Sequence, residues 1–376
     1  MNPPNPPLAP IHPSVANRLD PAFVKVYNSH FAHIPPSVDH HEARFRFSEQ
    51  HSTTAAPASG VGGIGETPAP GWSKYLGQTD GQVDVRVYVP PGEESGSRKV
   101  WPVHFNFHGG GLKPLPCVRL MLIRWFPGWV AGDLETDARI CHHICANVPC
   151  CVIDINYRLV PEFPFPIGIM DALSAVSFIV KNPETFMVDT TRMTLGGTDT
   201  GGTIALVLNH MLRDAGKGDW VKGVVVGTPA ITDIKKFATA EESPYQSMRE
   251  FEYAPFCNWA NLKWLEALKS QSVANLPRDR NRDSQLDMAW CNDLVSAPNH
   301  AGLAPLTWIG VAECDPLRDE AELYAEKLRE SGNKVITKRY KGVPHTFMHM
   351  DKVLPQGQEY VQDMISHIRE CLCPPS

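Results

Sequence analysis

At 376 residues, with 43% hydrophobic and 20% charged residues, the chain is long enough to bury a large core and has an ordinary globular make-up. A net charge of −6 and a pI near 6.2 leave no basic stripe for nucleic acid or an anionic membrane. No apolar run reaches membrane-spanning length, and Met1-Asn2-Pro3-Pro4 lacks the basic and apolar regions of a signal peptide, so a cytoplasmic protein is expected.

Ten cysteines are too dilute for a disulfide framework and read as reduced thiols. Cys141-His142-His143-Ile144-Cys145 is the one cluster that suggests metal. Its two cysteines, four apart, fall on one helix face and no second ligand pair follows at finger spacing, so neither a metal nor a cofactor is expected. Cys373-Pro374-Pro375-Ser376 fits a prenylation box only formally, because its middle positions are prolines.

Residues 1 to about 20 are proline-rich, and Asp20-Pro21-Ala22-Phe23 opens a capped amphipathic helix. His51 to Gly71 reads as an Ala/Pro/Gly/Thr-rich loop. The strict alternation over Gln82–Val89 predicts a half-buried strand. Val103–Phe107 is a second strand, leading into His108-Gly109-Gly110-Gly111, where bare backbone amides can approach a ligand. Cys150–Tyr157 reads as a buried strand, followed by Arg158-Leu159-Val160-Pro161-Glu162 and a helix from about 169 to 180.

Next comes Thr194-Leu195-Gly196-Gly197-Thr198-Asp199-Thr200-Gly201-Gly202, an apolar lead-in to a glycine-bracketed turn with a helix after it. This spacing is that of a nucleophile elbow, the strand-to-helix turn that pushes one side chain into an active site. The side chain here is Asp199. Val221–Gly227 is a further core strand. Between 231 and 304 the regularity breaks into an aromatic-rich insertion, read as a cap. Leu306–Ala312 and Lys334–Tyr340 are strands on either side of a helix from 320 to 331. Asp315 follows the first of them and His345 the second, at the carboxyl ends where open α/β sheets converge on ligands.

With these residues together the chain resembles the hormone-sensitive-lipase-like, carboxylesterase-type branch of the α/β-hydrolases, from about residue 80 onward. His108 to Gly111 is similar to its oxyanion motif, Tyr157 to Glu162 to its Tyr-Arg-Leu-Ala-Pro-Glu segment, Asp315 to Glu320 to its triad-acid motif, and His345 to its triad histidine. The resemblance implies an α/β-hydrolase fold, a mostly parallel sheet with helices on both faces. It also implies an oxyanion hole from the amides of Gly110, Gly111 and Thr200, and a cap built from the N-terminal segment (1–75) and the insertion (231–304). The catalytic domain would then comprise 76–230 and 305–376.

The branch has Gly-Asp-Ser-Ala-Gly-Gly where this chain has Gly197-Thr198-Asp199-Thr200-Gly201-Gly202. Three functions fit that difference. Asp199 as a nucleophile at a saturated carbon, with Asp315 and His345 hydrolysing the resulting ester, gives an epoxide-opening hydrolase, with or without ring formation. Tyr245 and Tyr253 would then be proton donors from the cap. Asp199 and His345 in proton transfer give a cyclase or lyase. A non-catalytic small-molecule receptor is the third. The first is preferred because aspartate supplies a nucleophile by itself. A sizeable apolar organic substrate, of the kind met in fungal secondary metabolism, is expected, with no nucleic-acid or membrane partner. The oligomeric state stays open, a homodimer included.

Overall fold

The computed structural model describes residues 9–32, 63–70, 82–90, 99–110, 128–274 and 289–373. Its centre is an eight-stranded sheet: β1 (Gly63–Pro70), β2 (Gln82–Val89), β3 (Trp101–Phe107), β4 (Cys151–Asn156), β5 (Val188–Thr198), β6 (Val221–Gly227), β7 (Thr307–Ala312) and β8 (Val335–Tyr340). The spatial order is β1-β2-β4-β3-β5-β6-β7-β8. β2 runs antiparallel to both β1 and β4, and every pair from β4 to β8 is parallel.

The central strands are nearly continuous apolar runs because helices cover both faces. Trp308 lies in the hydrophobic cluster on one face and its neighbour Ile309 in the cluster on the other. The helices around the site are α1 (Pro21–His30), α2 (Ala138–Asn147), α3 (Ile167–Lys181), α4 (Thr200–Asp214), α5 (Trp259–Ala274), α6 (Arg318–Glu330) and α7 (Pro355–Leu372). Cys141 and Cys145 both point inward from α2. Among the described residues no helix is long and apolar enough to cross a membrane.

The sequence predicts a loop from 51 to 71, whereas Gly63–Pro70 pairs with β2, Gly63 opposite Val89 and Pro70 opposite Gln82. An edge strand explains the difference, since only one side of it must be hydrogen-bonded and Gly and Pro are tolerated there. At the N-terminus Asp20 caps α1 by accepting from the Ala22 amide at 2.7 Å. Phe23, Tyr27 and Phe31 carry α1 against Phe256, with ring centroids 6.0, 5.4 and 4.9 Å away, and His12 stacks on Tyr253 at 4.3 Å. Described parts of the two segments expected to build a cap therefore touch each other.

Glu320, in the first turn of α6, ties that helix to the segment after β6. Its Oε1 accepts from the Ile231 and Thr232 amides at 2.6 and 3.3 Å. Burial pushes its carboxyl up to about 8 against the pull of those two amides, and the charge of Asp315 adds to the rise. A carboxyl raised in the folded state is protonated there while the unfolded chain has already lost its proton, so stability falls as pH climbs from the ordinary glutamate range to about 8 and is level above. Glu320→Gln keeps the acceptor and removes the titration. Urea unfolding at pH 5 and pH 9 should therefore show the variant gaining on the parent at the higher pH, and parallel pH profiles would rule this assignment out.

Candidate active site

β5 ends at Thr198 and α4 begins at Thr200, so Asp199 alone makes the turn, at φ 52° and ψ −122°. A non-glycine residue in that conformation costs about 1–3 kcal/mol, which the surrounding structure has to hold. The Asp199 amide donates to the Gly227 carbonyl at 2.8 Å, and its carbonyl accepts from the Thr203 amide at 3.1 Å. Gly201 is required by close approach: a Cβ there would stand 1.7 Å from the Phe107 carbonyl oxygen.

Asp199 is 6% exposed, and its two carboxylate oxygens face different groups. Oδ2 accepts from the backbone amides of Gly110 and Gly128, each at 3.0 Å. Oδ1 lies 3.3 Å from His345 Nε2. His345 Nδ1 is 2.7 Å from Asp315 Oδ2, and Asp315 Oδ1 accepts from the Leu317 amide at 2.9 Å, which fixes the carboxylate plane. Burial alone would drive the imidazole toward its neutral form. The carboxylates of Asp315 and Asp199 more than offset this and raise its pKa to about 10, which favours the imidazolium form of the ring between them.

Of the residues proposed from sequence, Asp199, Asp315, His345 and Gly110 meet at one point. Gly111 lies outside the described residues. Thr200 is buried at the start of α4 with its hydroxyl lacking a partner among the described residues. The second amide on Asp199 comes from Gly128, on the far side of residues 111–127. Tyr245 hydrogen-bonds through its hydroxyl to Thr232 at 2.9 Å, and Tyr253 is half-exposed on His12; neither bonds to Asp199.

Two further residues carry roles that the sequence does not announce. The Tyr157 hydroxyl donates to the His108 carbonyl at 2.6 Å and reaches the Gly128 carbonyl at 3.3 Å, so one side chain pins both amide-bearing segments. Its ring stacks on His108 at 4.4 Å. Asp137 stands at the N-cap position of α2 yet makes no cap bond. Its buried carboxyl turns inward to accept from the Thr198 hydroxyl at 3.3 Å, directly behind the elbow, and burial raises its pKa to about 7.

A carboxylate held by two convergent amides beside an acid–histidine pair, on a strand-to-helix turn, is a hydrolytic constellation. A family profile described as the alpha/beta hydrolase fold matches residues 127–349. The chain belongs to the α/β-hydrolase family. This hydrolase is 28% identical over 358 residues to an AB hydrolase superfamily protein of Schizosaccharomyces pombe, covering 93% of each chain. It is 27% identical over 304 residues to the versiconal hemiacetal acetate esterase of Dothistroma septosporum, covering 80% of this chain and 82% of that one. The solved structure of a hyperthermophilic esterase from the archaeon Pyrobaculum calidifontis matches with a TM-score of 0.72 at 24% identity, over 94% of this chain and 98% of that chain, a likeness of fold.

The elbow geometry makes a stability prediction. Gly201→Ala must push α4 off β3 and should cost at least roughly 3 kcal/mol, the upper end for an overpacked core. Gly216→Ala, at φ 68° with no atom near the added carbon, should cost only about 1–2 kcal/mol for its left-handed backbone. Denaturant midpoints of the two variants would show the order, and equal midpoints would contradict the close approach.

Proposed function

We propose that this hydrolase uses Asp199 as a covalent nucleophile and opens an epoxide on a sizeable apolar organic substrate. The observation that carries the reading is the division of labour between the two oxygens of Asp199. Oδ2 is held by the Gly110 and Gly128 amides, where the oxyanion of a tetrahedral intermediate is stabilised. Oδ1 is directed at His345 and the reacting side. An ester carbonyl would need those same two amides, and attack on it by a carboxylate would give a readily reversed anhydride.

In the first step Oδ1 attacks a saturated epoxide carbon and the C–O bond breaks, its electron pair going to the epoxide oxygen. That oxygen takes a proton from His345 Nε2, which the imidazolium state provides without recourse to Tyr245 or Tyr253. Asp199 is now a neutral ester, so one of the two charges that kept His345 protonated is gone and the ring can act as a base. It takes a proton from water as the water attacks the Asp199 carbonyl carbon, and Gly110 and Gly128 receive the negative charge on Oδ2. Collapse releases the diol, protonated by His345, and the carboxylic proton left on Asp199 returns to the ring.

Ester hydrolysis is the second reading, and the names of the esterase relatives favour it. On that reading Asp199 would vacate the two amides and act as a base toward water.

A single turnover of an aryl epoxide such as styrene oxide in heavy-oxygen water separates the two. Label should enter the Asp199 carboxylate, detected in its peptide by mass spectrometry, and the oxygen delivered to the diol should be unlabelled. His345→Gln should accumulate protein heavier by one substrate. Asp199→Asn should lower turnover by about three orders of magnitude or more. Fast hydrolysis of p-nitrophenyl acetate with Asp199 left unlabelled would overturn the covalent proposal in favour of the ester reading.

A further inference from the structure

Cys257 has no part in the hydrolytic steps above, yet it sits against them. Its sulfur, a carboxylate oxygen of Asp315 and a ring nitrogen of His345 all lie within 4.8 Å of one another, and all three residues are buried. The backbone delivers the thiol there through a tight turn: the Cys257 amide donates to the Pro255 carbonyl at 2.9 Å across Phe256, which adopts φ 69°. A γ-turn with a positive central φ is rare and strained, and the Phe256 ring is held in place by Phe23 and Tyr27 of α1 and by Phe31 just past its end.

We propose that Cys257, Asp315 and His345 form a binding site for one thiophilic divalent cation of the zinc and cadmium class, and that its occupation switches the hydrolase off. The donor set is that of zinc: one sulfur, one imidazole and one carboxylate, with the fourth position left to water. Bond lengths of about 2.3 Å to sulfur and about 2.0–2.2 Å to nitrogen and oxygen put neighbouring donors roughly 3–4 Å apart, so an ion would draw the sulfur closer and part His345 Nδ1 from Asp315 Oδ2, now 2.7 Å away. The soft thiolate selects against magnesium and calcium, which take oxygen donors.

The outer contacts that such a site needs are already present. With the ion on His345 Nδ1, Nε2–H donates to Asp199 Oδ1, now 3.3 Å away, the carboxylate–histidine–metal arrangement that orients a ligating ring. The Leu317 amide fixes Asp315 through Oδ1 and leaves Oδ2 for the ion. Two carboxylates around one imidazole favour a dication. Binding releases the Cys257 thiol proton and the His345 Nδ1 proton to solvent, with no change of oxidation state. It also replaces the bond between His345 Nδ1 and Asp315, so the ring can no longer pass protons to and from the substrate.

The test is independent of what Asp199 does, because it reads binding and not turnover. Chelator-treated full-length protein is titrated with cobalt(II), whose absorption reports both thiolate ligation and tetrahedral geometry. One equivalent per chain should bring up a near-ultraviolet sulfur-to-cobalt band together with intense visible bands. Cys257→Ser should abolish the sulfur band, and His345→Gln should weaken binding at least tenfold. A band that persists in folded Cys257→Ser, or no binding at stoichiometric cobalt, overturns the site. Should that variant fail to fold, X-ray absorption of the zinc-loaded parent decides: one sulfur at about 2.3 Å supports the site, and none or several overturns it.

Discussion

The site depends on where one carboxylate is held. Asp199 takes two backbone amides on one oxygen and an imidazolium on the other. Those partners come from three places in the chain: the end of β3, the segment after residue 127, and the loop after β8. None of them would converge without the turn at Asp199, and the turn exists because Gly201 lets α4 lie against the Phe107 carbonyl. Anchoring Oδ2 has a second effect, since it fixes Oδ1 as the oxygen that faces His345. On the proposed mechanism, a carboxylate that would otherwise rotate between equivalent oxygens is thereby given one attacking atom and one anchored atom, pre-organisation that lowers the entropy cost of attack.

Much of this arrangement was legible in the sequence, and the reasons differ from residue to residue. β2 is a strict alternation because it is half-buried, and its predicted bounds match Gln82–Val89. The order elbow, Asp315, His345 placed three side chains at the carboxyl ends of β5, β7 and β8, and they meet there. β1 was not legible, since its Gly and Pro content is what a loop also has and only pairing with β2 distinguishes the two. Gly128 was hidden by distance along the chain: residues 111–127 separate it from Gly110, and the available signal was a second pair of glycines, Gly128 and Gly132, following the first cluster. Asp137 carried no signal in the sequence, and only its inward side chain shows that it serves Thr198 rather than capping α2.

Packing around the site explains how it tolerates its strain. The left-handed turns at Asp199 and Phe256 both lie next to the His345–Asp315 pair, one bringing the carboxylate and the other the thiol. Each is fixed from outside: Asp199 by the Gly227 and Thr203 backbone, Phe256 by the rings of Phe23 and Tyr27 in α1 and of Phe31 just past its end. Tyr157 does the corresponding work for the two amide donors, bonding the carbonyls of His108 and Gly128 with one hydroxyl. Rigidity is thus concentrated where a displacement of about 1 Å would disturb the reacting geometry most.

Charge sets the last constraint. A serine at the elbow would leave His345 with the Asp315 carboxylate alone against the pull of burial. Adding the Asp199 carboxylate supplies a second anion within ion-pair distance, and the ring is protonated well beyond neutral pH. An imidazolium cannot begin a cycle by accepting a proton, so the proposed mechanism has His345 begin by donating one. On that mechanism, neutralising Asp199 through ester formation would return the ring toward its basic form, coupling the two halves of the proposed reaction through electrostatics.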